Sequence, residues 1–563
     1  MSAEKLITDH IDIWTSAVQS KSASGRGSSK KRELYGIKKL RELILELAVR
    51  GKLVPQDPTD EPASVLLERI TAEMAELVKQ KKIKRQKSLP PIRDEEKPFS
   101  LSQGWEWARL GMLFDIVYGK GMPNSKLTEE GYDVFGANGI IGKYTSYLYE
   151  EAQLLVSCRG AYSGKPNISP KFCFVTSNSL VMQSTWKHLV LRYFYYSLTI
   201  ADKEKIVTGS AQPQVTAANL EPFLIAVPPL PEQHRIVAKV DELMALCDQL
   251  EQQTEASLDA HQVLVETLLA TLTNSQNATE LMANWARISE HFYTLFTTEQ
   301  SIDQLKQTIL QLAVMGKLVP QDPNDEPATK LLERIAEEKA QLVKEKKIKK
   351  QKALPPIAED EKPFELPKGW EWIQCADAAR PETTITYGIL KPVWKDKGVP
   401  TARIKDMVNG SLELRNIVYC CPERASKFDK TTLVEGDLLI AKDGATLGKT
   451  AFVPPELVGG NITQHVLRFS ISPFLNREFV RLIIDSPIGQ SFMKGETKGV
   501  ALPGVNVGDF RKMPLALPPL AEQQLIVEKV ETLLSICNEL QQCLRDSQQT
   551  QLLLTDAIVE QAL

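Results

Sequence analysis

Apolar residues spaced alternately three and four positions apart mark the first strongly predicted helix of the chain. They are Ile37, Leu40, Ile44 and Leu47. Gly51 follows as a helix-ending glycine, and a second helix is predicted from about Ala63 to Lys84, where the segment LPPI prevents its continuation. The pattern returns at Ile302, Leu305, Ile309 and Leu312, again with a glycine and LPPI after it. The chain therefore contains this helical region twice.

The repetition extends well beyond these apolar positions. Residues 40–107 and 305–372 align without a gap, and 47 of the 68 positions are identical. Both copies end in the tetrapeptide GWEW. A second pair of segments, which begin at Pro228 and Pro518, agrees at 13 of 26 positions. A repeat of this size determines architecture before any local motif does, so we predict two copies of one plan.

Long helices are predicted after each repeated PPLxEQ motif, because apolar and small residues recur there at strict spacings of four and three. The first stripe is Ile236, Val240, Leu243, Cys247, Leu250, Thr254, Ser257, His261, Leu264 and Leu268. The second is Ile526, Val530, Leu533, Cys537, Leu540, Leu544, Ser547, Gln551, Leu554 and Ile558. A heptad sustained over about 32 residues, or about 48 Å of helix, is typical of a coiled coil. The alternative is that each helix packs on a globular domain.

The two middle segments, residues 108–227 and 373–517, differ in character from these helices. They are rich in glycine, aromatic and β-branched residues in short alternating runs, which predicts mixed α/β domains. LLVSCRGAYSGK (154–165) aligns without a gap with LLIAKDGATLGK (438–449), so the middles are duplicated domains whose surfaces have diverged. The predicted organisation is an N-terminal segment and flexible linker (1–36), helical region 1 (37–107), domain 1 (108–227), a central long helix and connector (228–300), helical region 2 (301–372), domain 2 (373–517) and a C-terminal long helix (518–563).

Composition mainly excludes classes of protein and kinds of site. The 563 residues are 43% hydrophobic and 25% charged, with a formal net charge of −3, which argues against a protein that coats nucleic acid non-specifically. The sequence has no apolar run long enough for a transmembrane helix, and its N-terminus mixes charges, so a cytoplasmic location is expected. The eight cysteines and six histidines have no zinc-ligand spacing, so no metal is predicted. Cys247 and Cys537 are expected to be buried in the long helices.

Catalytic motifs are missing or incomplete. GATLGKT (444–450) resembles a phosphate-binding P-loop, but it has three residues between its glycines where that loop needs four. A turn between two strands is the expected structure, and nucleotide hydrolysis is the rival hypothesis. No nucleophile is accompanied by a base. The sequence therefore predicts no catalytic site.

Two basic runs, KQKKIKRQK (79–87) and KEKKIKKQK (344–352), precede the two α/β domains. Each is either a solvated helix face or a set of sequence-independent contacts to DNA phosphates. The candidate phosphate contacts are Lys81, Lys82, Lys84, Arg85, Lys346, Lys347, Lys349 and Lys350.

Recognition of DNA bases requires polar and planar side chains on loops that can enter a groove. Candidates in the first domain are Tyr118, Lys120, Asn124, Ser125, Lys126, Asn138, Lys143 and Tyr144. Candidates in the second domain are Arg403, Lys405, Asp406, Asn409, Lys442, Asn461, Gln464 and His465. Lys165 and Lys449, at the exits of the GAxxGK turns, are DNA-binding candidates that could reach a phosphate. The alternative for each of them is a role in stabilising its own loop.

As a set, the duplicated GKLVPQ…LPPI…GWEW regions, the GAxxGK turns and the PPLxEQ motifs before heptad helices resemble the specificity (S) subunit of type I restriction–modification enzymes. The GKLVPQDP repeats resemble the subclass with long flanking repeats. The resemblance implies a mixed α/β fold class: two target-recognition domains separated by long antiparallel coiled-coil helices, in a tandem pseudo-twofold repeat.

The same resemblance implies a non-catalytic protein that binds double-stranded DNA. Each domain would recognise one half of a split, asymmetric target, while the helices set the spacer between the halves. Two methyltransferase (M) and two restriction/motor (R) subunits would be partners. S-adenosylmethionine, ATP and magnesium would then be used by those partners and not by this chain.

A non-DNA adaptor, with two protein-binding domains on a coiled coil, is the remaining alternative. The two hypotheses differ in salt dependence, because an affinity that rests on phosphate contacts falls steeply as salt concentration rises.

Overall fold

The structure, a computed structural model, describes residues 3–21, 31–81, 89–183, 189–209, 212–349, 353–495 and 504–563. The chain divides into two compact units. The first unit is Met1–Ser257 with Ser547–Leu563, and the second is Leu258–Asp546.

The described residues of the first unit form a helical part and four sheets, two of them two-stranded. Its helices are α1 (Ala3–Thr8), α2 (Ile11–Ser16), α3 (Tyr35–Val49), α4 (Ala63–Lys79), α5 (Leu110–Leu113), α6 (Leu191–Ile200), α7 (Ala217–Leu220) and the beginning of α8 (Leu230–Asn274). Its strands are β1 (Gln19–Lys21), β2 (Lys31–Glu33), β3 (Glu106–Arg109), β4 (Asp115–Tyr118), β5 (Tyr132–Phe135), β6 (Ile140–Tyr144), β7 (Leu154–Ser157), β8 (Pro166–Ile168), β9 (Phe174–Val175), β10 (Ser179–Gln183) and β11 (Leu224–Val227).

The second unit shares the main elements of this order and has additional helices and strands. Its helices are the end of α8, then α9 (Ala278–Glu290), α10 (Phe292–Leu295), α11 (Glu299–Val314), α12 (Ala328–Lys344), α13 (Pro422–Ala425), α14 (Arg477–Asp485), α15 (Pro487–Lys494), α16 (Val507–Lys512) and most of α17 (Leu520–Ala562). Its strands are β12 (Glu371–Gln374), β13 (Thr386–Tyr387), β14 (Trp394–Lys395), β15 (Val399–Ala402), β16 (Met407–Val408), β17 (Ser411–Leu412), β18 (Val418–Cys420), β19 (Leu438–Ala441), β20 (Thr450–Phe452), β21 (Asn461–Ile462), β22 (Val466–Phe469) and β23 (Pro514–Leu517).

The strand topology is shared by the two units. An antiparallel sheet has the order β4-β10-β7-β8 in the first unit and β13-β22-β19-β20 in the second. A second sheet, with the order β6-β5-β9 in the first unit and β14-β18-β15-β21 in the second, contains one parallel pair in each unit, β5 with β9 and β15 with β21. The ends of each α/β domain pair with each other, as β3 with β11 and β12 with β23. The predicted mixed α/β class, with two α/β domains and long helices, is confirmed.

The GWEW and PPLxEQ motifs, far apart in sequence, meet in each unit because the strand that carries GWEW pairs with the strand that leads into PPLxEQ. The indole nitrogen of Trp105 donates to Glu232 at 3.0 Å, and that of Trp370 donates to Glu522 at 2.9 Å. Both glutamates are buried in the first turn of a long helix. These hydrogen bonds attach each α/β domain to its long helix.

The two buried glutamates differ in the hydrogen bonding of their second carboxyl oxygen, Oε1. Oε1 of Glu522 accepts from Gln321 at 3.0 Å, whereas Oε1 of Glu232 is buried without a hydrogen-bond partner among the described residues. Burial raises the pKa of the Glu232 carboxyl, and the hydrogen bond from Trp105 only partly offsets this effect. The protonated carboxyl therefore stabilises the fold below the ordinary pKa of 4.5, and this contribution is lost as pH rises through the raised pKa.

Glu232→Gln is accordingly expected to raise the melting temperature at pH 8 and to have less effect at pH 4.5, since glutamine keeps the acceptor for Trp105 and cannot ionise. Melting curves of the full chain at several pH values measure this. Burial raises the pKa of the Glu522 carboxyl too, but Glu522→Gln should give a smaller gain, because the one acceptor oxygen of glutamine cannot accept from both Trp370 and Gln321. An equal gain in both variants would contradict the explanation.

The first repeated helix ends as predicted, and the second ends earlier. Gly51 has a φ of +68°, and the Lys52 amide donates to the Leu47 carbonyl, which closes the left-handed C-terminal motif. The helix predicted to reach Lys84 instead stops at Lys79, and α12 stops equivalently at Lys344. Two residues later, Lys81 and Lys346 adopt a φ of +57° and +58°. Such left-handed residues terminate the helix, and lysines near this end complement its dipole.

The long helices α8 and α17, of 45 and 43 residues, each begin in one unit and end in the other. The strict heptad prediction holds for their first halves, where Cys247 and Cys537 are buried as predicted. Farther along it is wrong at several positions, although Ile558 is buried as predicted. Predicted stripe residues Ser257, Leu264, Ser547 and Leu554 are exposed, and Val265 and Thr555 are buried instead. An 11-residue spacing, from Thr254 to Val265, is closer than a heptad to the natural period of a straight α-helix.

Within each unit, the first repeated helix contacts segments of both long helices. In the first unit, Arg41 forms ion pairs at 2.7 Å with Asp248 and Glu251 of α8, and Tyr35 donates to Asp556 of α17 at 2.7 Å. The second unit has the same plan, with hydrogen bonds of 2.7 Å from Gln304 to Glu266 of α8 and from Lys306 to Gln541 of α17. Each unit thus contains a three-helix assembly formed by its repeated helix and one segment of each long helix.

Candidate nucleic-acid interface

A close backbone approach positions Tyr118 and Lys120 in the first unit. A Cβ on Gly119 would lie 2.2 Å from the Thr176 carbonyl oxygen, so only glycine fits there. The Lys120 amide donates to the Val175 carbonyl at 2.9 Å. Both candidate side chains are exposed beside the loop that follows β9.

Two further loops converge on this point. The Ser179 hydroxyl donates to the Gly136 carbonyl at 2.8 Å, which fixes the turn that exposes Asn138. The Cys158 amide donates to the Asn178 carbonyl at 3.0 Å, which joins the loop after β7 to the loop after β9. Farther along the β7–β8 turn, exposed Lys165 lies over the Tyr162 ring, at 5.6 Å from its centroid.

The remaining candidates of the first unit lie on and near β6. Lys143 is exposed, with Nζ 3.4 Å from Asp133, and the Tyr144 ring packs edge-on against Phe174. Asn124, Ser125 and Lys126 form one exposed helical turn.

Four polar side chains come together in the second unit. His465 Nδ1 lies 2.9 Å from Asp443 Oδ2, and Lys442 Nζ donates to the same oxygen at 3.1 Å. Gln464 Nε2 lies 3.1 Å from His465 Nε2. Partial burial alone would raise the pKa of Asp443, but the hydrogen bonds from His465 and Lys442 outweigh it and lower this pKa. The carboxylate therefore stays ionised and restrains both neighbours.

Three predicted base-contacting residues, Arg403, Asp406 and Asn461, instead use their side chains for hydrogen bonds within the second unit. Asp406 is buried and accepts three hydrogen bonds from Arg403, whose guanidinium also donates to the Asn416 carbonyl. Asn461 is buried, accepts from Thr431 and donates to the Phe428 carbonyl. These side chains stabilise their loops, which is the alternative that their sequence positions left open.

Lys405, Asn409 and Lys449 are exposed. Asn409 lies at the tip of the β16–β17 hairpin, with a φ of +49°. Lys449 ends the GATLGKT turn, which connects antiparallel strands β19 and β20 as expected. A P-loop leads from a strand into a helix, so this geometry excludes the nucleotide-binding hypothesis for GATLGKT.

The basic runs are described only in part. Lys81, Lys346, Lys347 and Lys349 are exposed, and Lys347 forms an ion pair with Glu345 at 2.8 Å. Lys82, Lys84, Arg85 and Lys350 lie outside the described residues.

Arg159 and Asn178 were not predicted from the sequence, yet both are exposed where the loops of the first unit converge. Arg159 lies inside the aligned segment LLVSCRGAYSGK, opposite an aspartate in the other copy. This reversal of charge between the two aligned segments is the sequence feature that could have identified Arg159 as a candidate.

The described part of the chain contains no cluster of three or more histidine, cysteine, aspartate or glutamate side chains arranged to hold a metal ion. None of its helices combines the length and apolar character needed to span a bilayer.

Comparison with known proteins gives consistent results. The family model of the type I restriction modification DNA specificity domain matches residues 102–260 and 384–547. The chain is 44% identical to the EcoAI specificity subunit and 42% identical to the EcoEI specificity subunit, type I restriction enzyme components of Escherichia coli, over the full length of each protein. The crystal structure of the HsdS subunit from Thermoanaerobacter tengcongensis is similar with a TM-score of 0.41 and 15% identity, over 83% of this chain and 98% of that one.

Proposed function

Since this chain belongs to the family of type I restriction enzyme specificity subunits, we propose that each of its units recognises one half of a split, asymmetric DNA target. As a specificity subunit it supplies sequence recognition, and catalysis comes from other subunits. The two halves of the target differ because the two units, although built on one topology, present different side chains.

The observation that carries this proposal is the convergence of exposed polar loops at one place in each α/β domain. In the first unit the loops present Tyr118, Lys120 and Asn138, and in the second they present Lys442 and His465. Hydrogen-bonding and planar side chains of this kind distinguish base edges in a groove. The exposed lysines at the ends of α4 and α12 add phosphate contacts, which position a duplex without selecting its sequence.

The long helices offer equivalent surfaces to two copies of one partner. Large apolar side chains are exposed at matched positions, at a constant offset of 290 residues: Leu246 with Ile536, Val263 with Leu553, and Leu264 with Leu554. Each unit contains one complete set. Exposed apolar residues in a duplicated arrangement favour two identical docking sites, and we assign them to two methyltransferase subunits.

The chemistry then belongs to the partners. The methyltransferase subunits use S-adenosylmethionine to methylate adenine N6 in each half-site. Two restriction subunits use ATP and magnesium to cleave DNA whose sites are unmodified. Because this chemistry acts on chromosomal and incoming DNA, the complex would work in the cytoplasm.

Deletion of the gene is expected to abolish N6-methyladenine at one split, asymmetric motif in the host genome. Long-read methylation mapping of the wild type, the deletion strain and the complemented strain measures this directly. An unchanged methylome, together with failure of the tagged chain to co-purify a methyltransferase subunit, would contradict the proposal.

A further inference from the structure

The two units hold three loops together by the same backbone hydrogen bonds. In the first unit, the Cys158 amide donates to the Asn178 carbonyl, and the Val215 amide donates to the Cys158 carbonyl, both at 3.0 Å. In the second unit, the Lys442 amide donates to the His465 carbonyl at 3.0 Å, and the Val505 amide donates to the Lys442 carbonyl at 2.8 Å. These bonds establish which residues are structurally equivalent, independently of sequence similarity.

The side chains at the equivalent positions have different chemistry. Arg159 of the first unit corresponds to Asp443 of the second, and Asn178 corresponds to His465. The backbone around each pair is also alike. Arg159 forms an isolated antiparallel β-bridge with Gln214, and Asp443 forms the equivalent bridge with Gly504. The backbone framework that the two units share therefore carries a donor-only cation in one unit and an acceptor-only anion in the other.

Arg159 and Asp443 also differ in their hydrogen-bond partners within the protein. Asp443 is engaged by His465 and Lys442 within its own unit. The Arg159 guanidinium is exposed and makes no hydrogen bond or ion pair with any residue that the structure describes. No described residue therefore occupies its five donors. The loop after β9, which carries Asn178, also includes Thr176, whose buried hydroxyl lacks a hydrogen-bond partner among the described residues.

Arginine can bind DNA in two ways, and the framework favours one of them. A phosphate contact needs only a positive charge and is supplied by many surface lysines. A base contact needs a planar fork of donors held at a fixed point, and guanine presents two matching acceptors, O6 and N7, in the major groove. The loop of Arg159 is fixed by backbone hydrogen bonds beside Asn178, whose amide is of the type that contacts bases.

We propose that Arg159 is a specificity-determining residue that selects a guanine in the half-site recognised by the first unit. The guanidinium donates two hydrogen bonds to O6 and N7 of that base. Asp443, at the same position of the second unit, has no donor and cannot make this contact, so the second half-site is selected differently. This inference rests on the proposed function and assigns one base position within it.

The test uses the complete complex in a strain that lacks the native gene and carries a plasmid copy. Methylation is mapped across the genome for the wild type, Arg159→Ala, Arg159→Lys and Lys165→Ala. Arg159→Ala is expected to lower discrimination against the other three bases by about 5- to 150-fold at a single G·C position of one half-site. Arg159→Lys, which keeps the charge without the planar fork, should relax the same position.

Lys165→Ala is the matched control for a phosphate contact, because Lys165 is an exposed cation on the same turn. It is expected to reduce methylation alike at all sites and to leave the motif unchanged. Unchanged selectivity of the other half-site in the Arg159 variants shows that the chain folds and assembles.

The inference is overturned if Arg159→Ala leaves every position of the motif as selective as before, or if both Arg159 variants lose methylation uniformly as Lys165→Ala does. Failure of the proposed function gives a different result, since the wild-type plasmid would then restore no split motif at all.

Discussion

Trp370→Ala is expected to lower the free energy of unfolding of the second unit by about 3–5 kcal/mol, the usual cost of removing a buried tryptophan side chain. Trp370 is only 4% exposed and packs edge-on against Phe479, with ring centroids 6.3 Å apart. Its indole also donates to the buried carboxyl of Glu522, which would lose this donor. Both effects act at the point where β12 and α17 join, so the attachment of the α/β domain to its helix should weaken.

Trp372→Ala provides a control with the same change in side chain two positions away. Trp372 is partly exposed and packs on Phe364, so its loss should cost clearly less. Chemical denaturation of the full chain, with hydrogen exchange resolved by peptide, assigns each change to one unit. Equal destabilisation by the two variants would show that burial and the Glu522 hydrogen bond do not give Trp370 its importance.

Features determined by local sequence were predictable. The glycine at position 51 could be assigned to a helix end because a left-handed residue is needed there, and the structure has it at a φ of +68°. The duplication predicted two domains of one topology because identical segments form identical elements. The GAxxGK turns were predicted correctly because three residues between the glycines are too few for a P-loop.

Features determined by tertiary partners were not predictable. Leu264 and Val265 are adjacent apolar residues, so either one continues an apolar stripe along α8, and packing within the second unit selects Val265. Asp406 and Asn461 look like any polar loop residues in the sequence. Their roles depend on donors and acceptors that folding brings to them, Arg403 for the first and Thr431 for the second. Surface-exposed Arg159 was missed because its significance appears only when the two units are compared.

Lengthening both long helices by one heptad is expected to increase the preferred gap between the half-sites by about three base pairs, since seven residues add about 10 Å of helix and base pairs rise about 3.4 Å. The insertions belong between Ser257 and Leu258 and between Asp546 and Ser547, where α8 and α17 pass from one unit to the other. Both helices are changed together, because both pass from one unit to the other. Methylation mapping of the variant measures the new gap.

The size of the insertion should also control how efficiently the longer-gapped sites are methylated. Three base pairs rotate one half-site by about 100° around the DNA axis, whereas three heptads add about 32 Å, close to one full turn of B-DNA. The three-heptad variant is therefore expected to methylate its longer-gapped sites more efficiently than the one-heptad variant. Seven residues inserted after Arg26, in a segment flanked by the paired strands β1 and β2 of one unit, should leave the gap unchanged. If the helices set the spacer, only the gap responds, and altered bases in either half-site would refute that role.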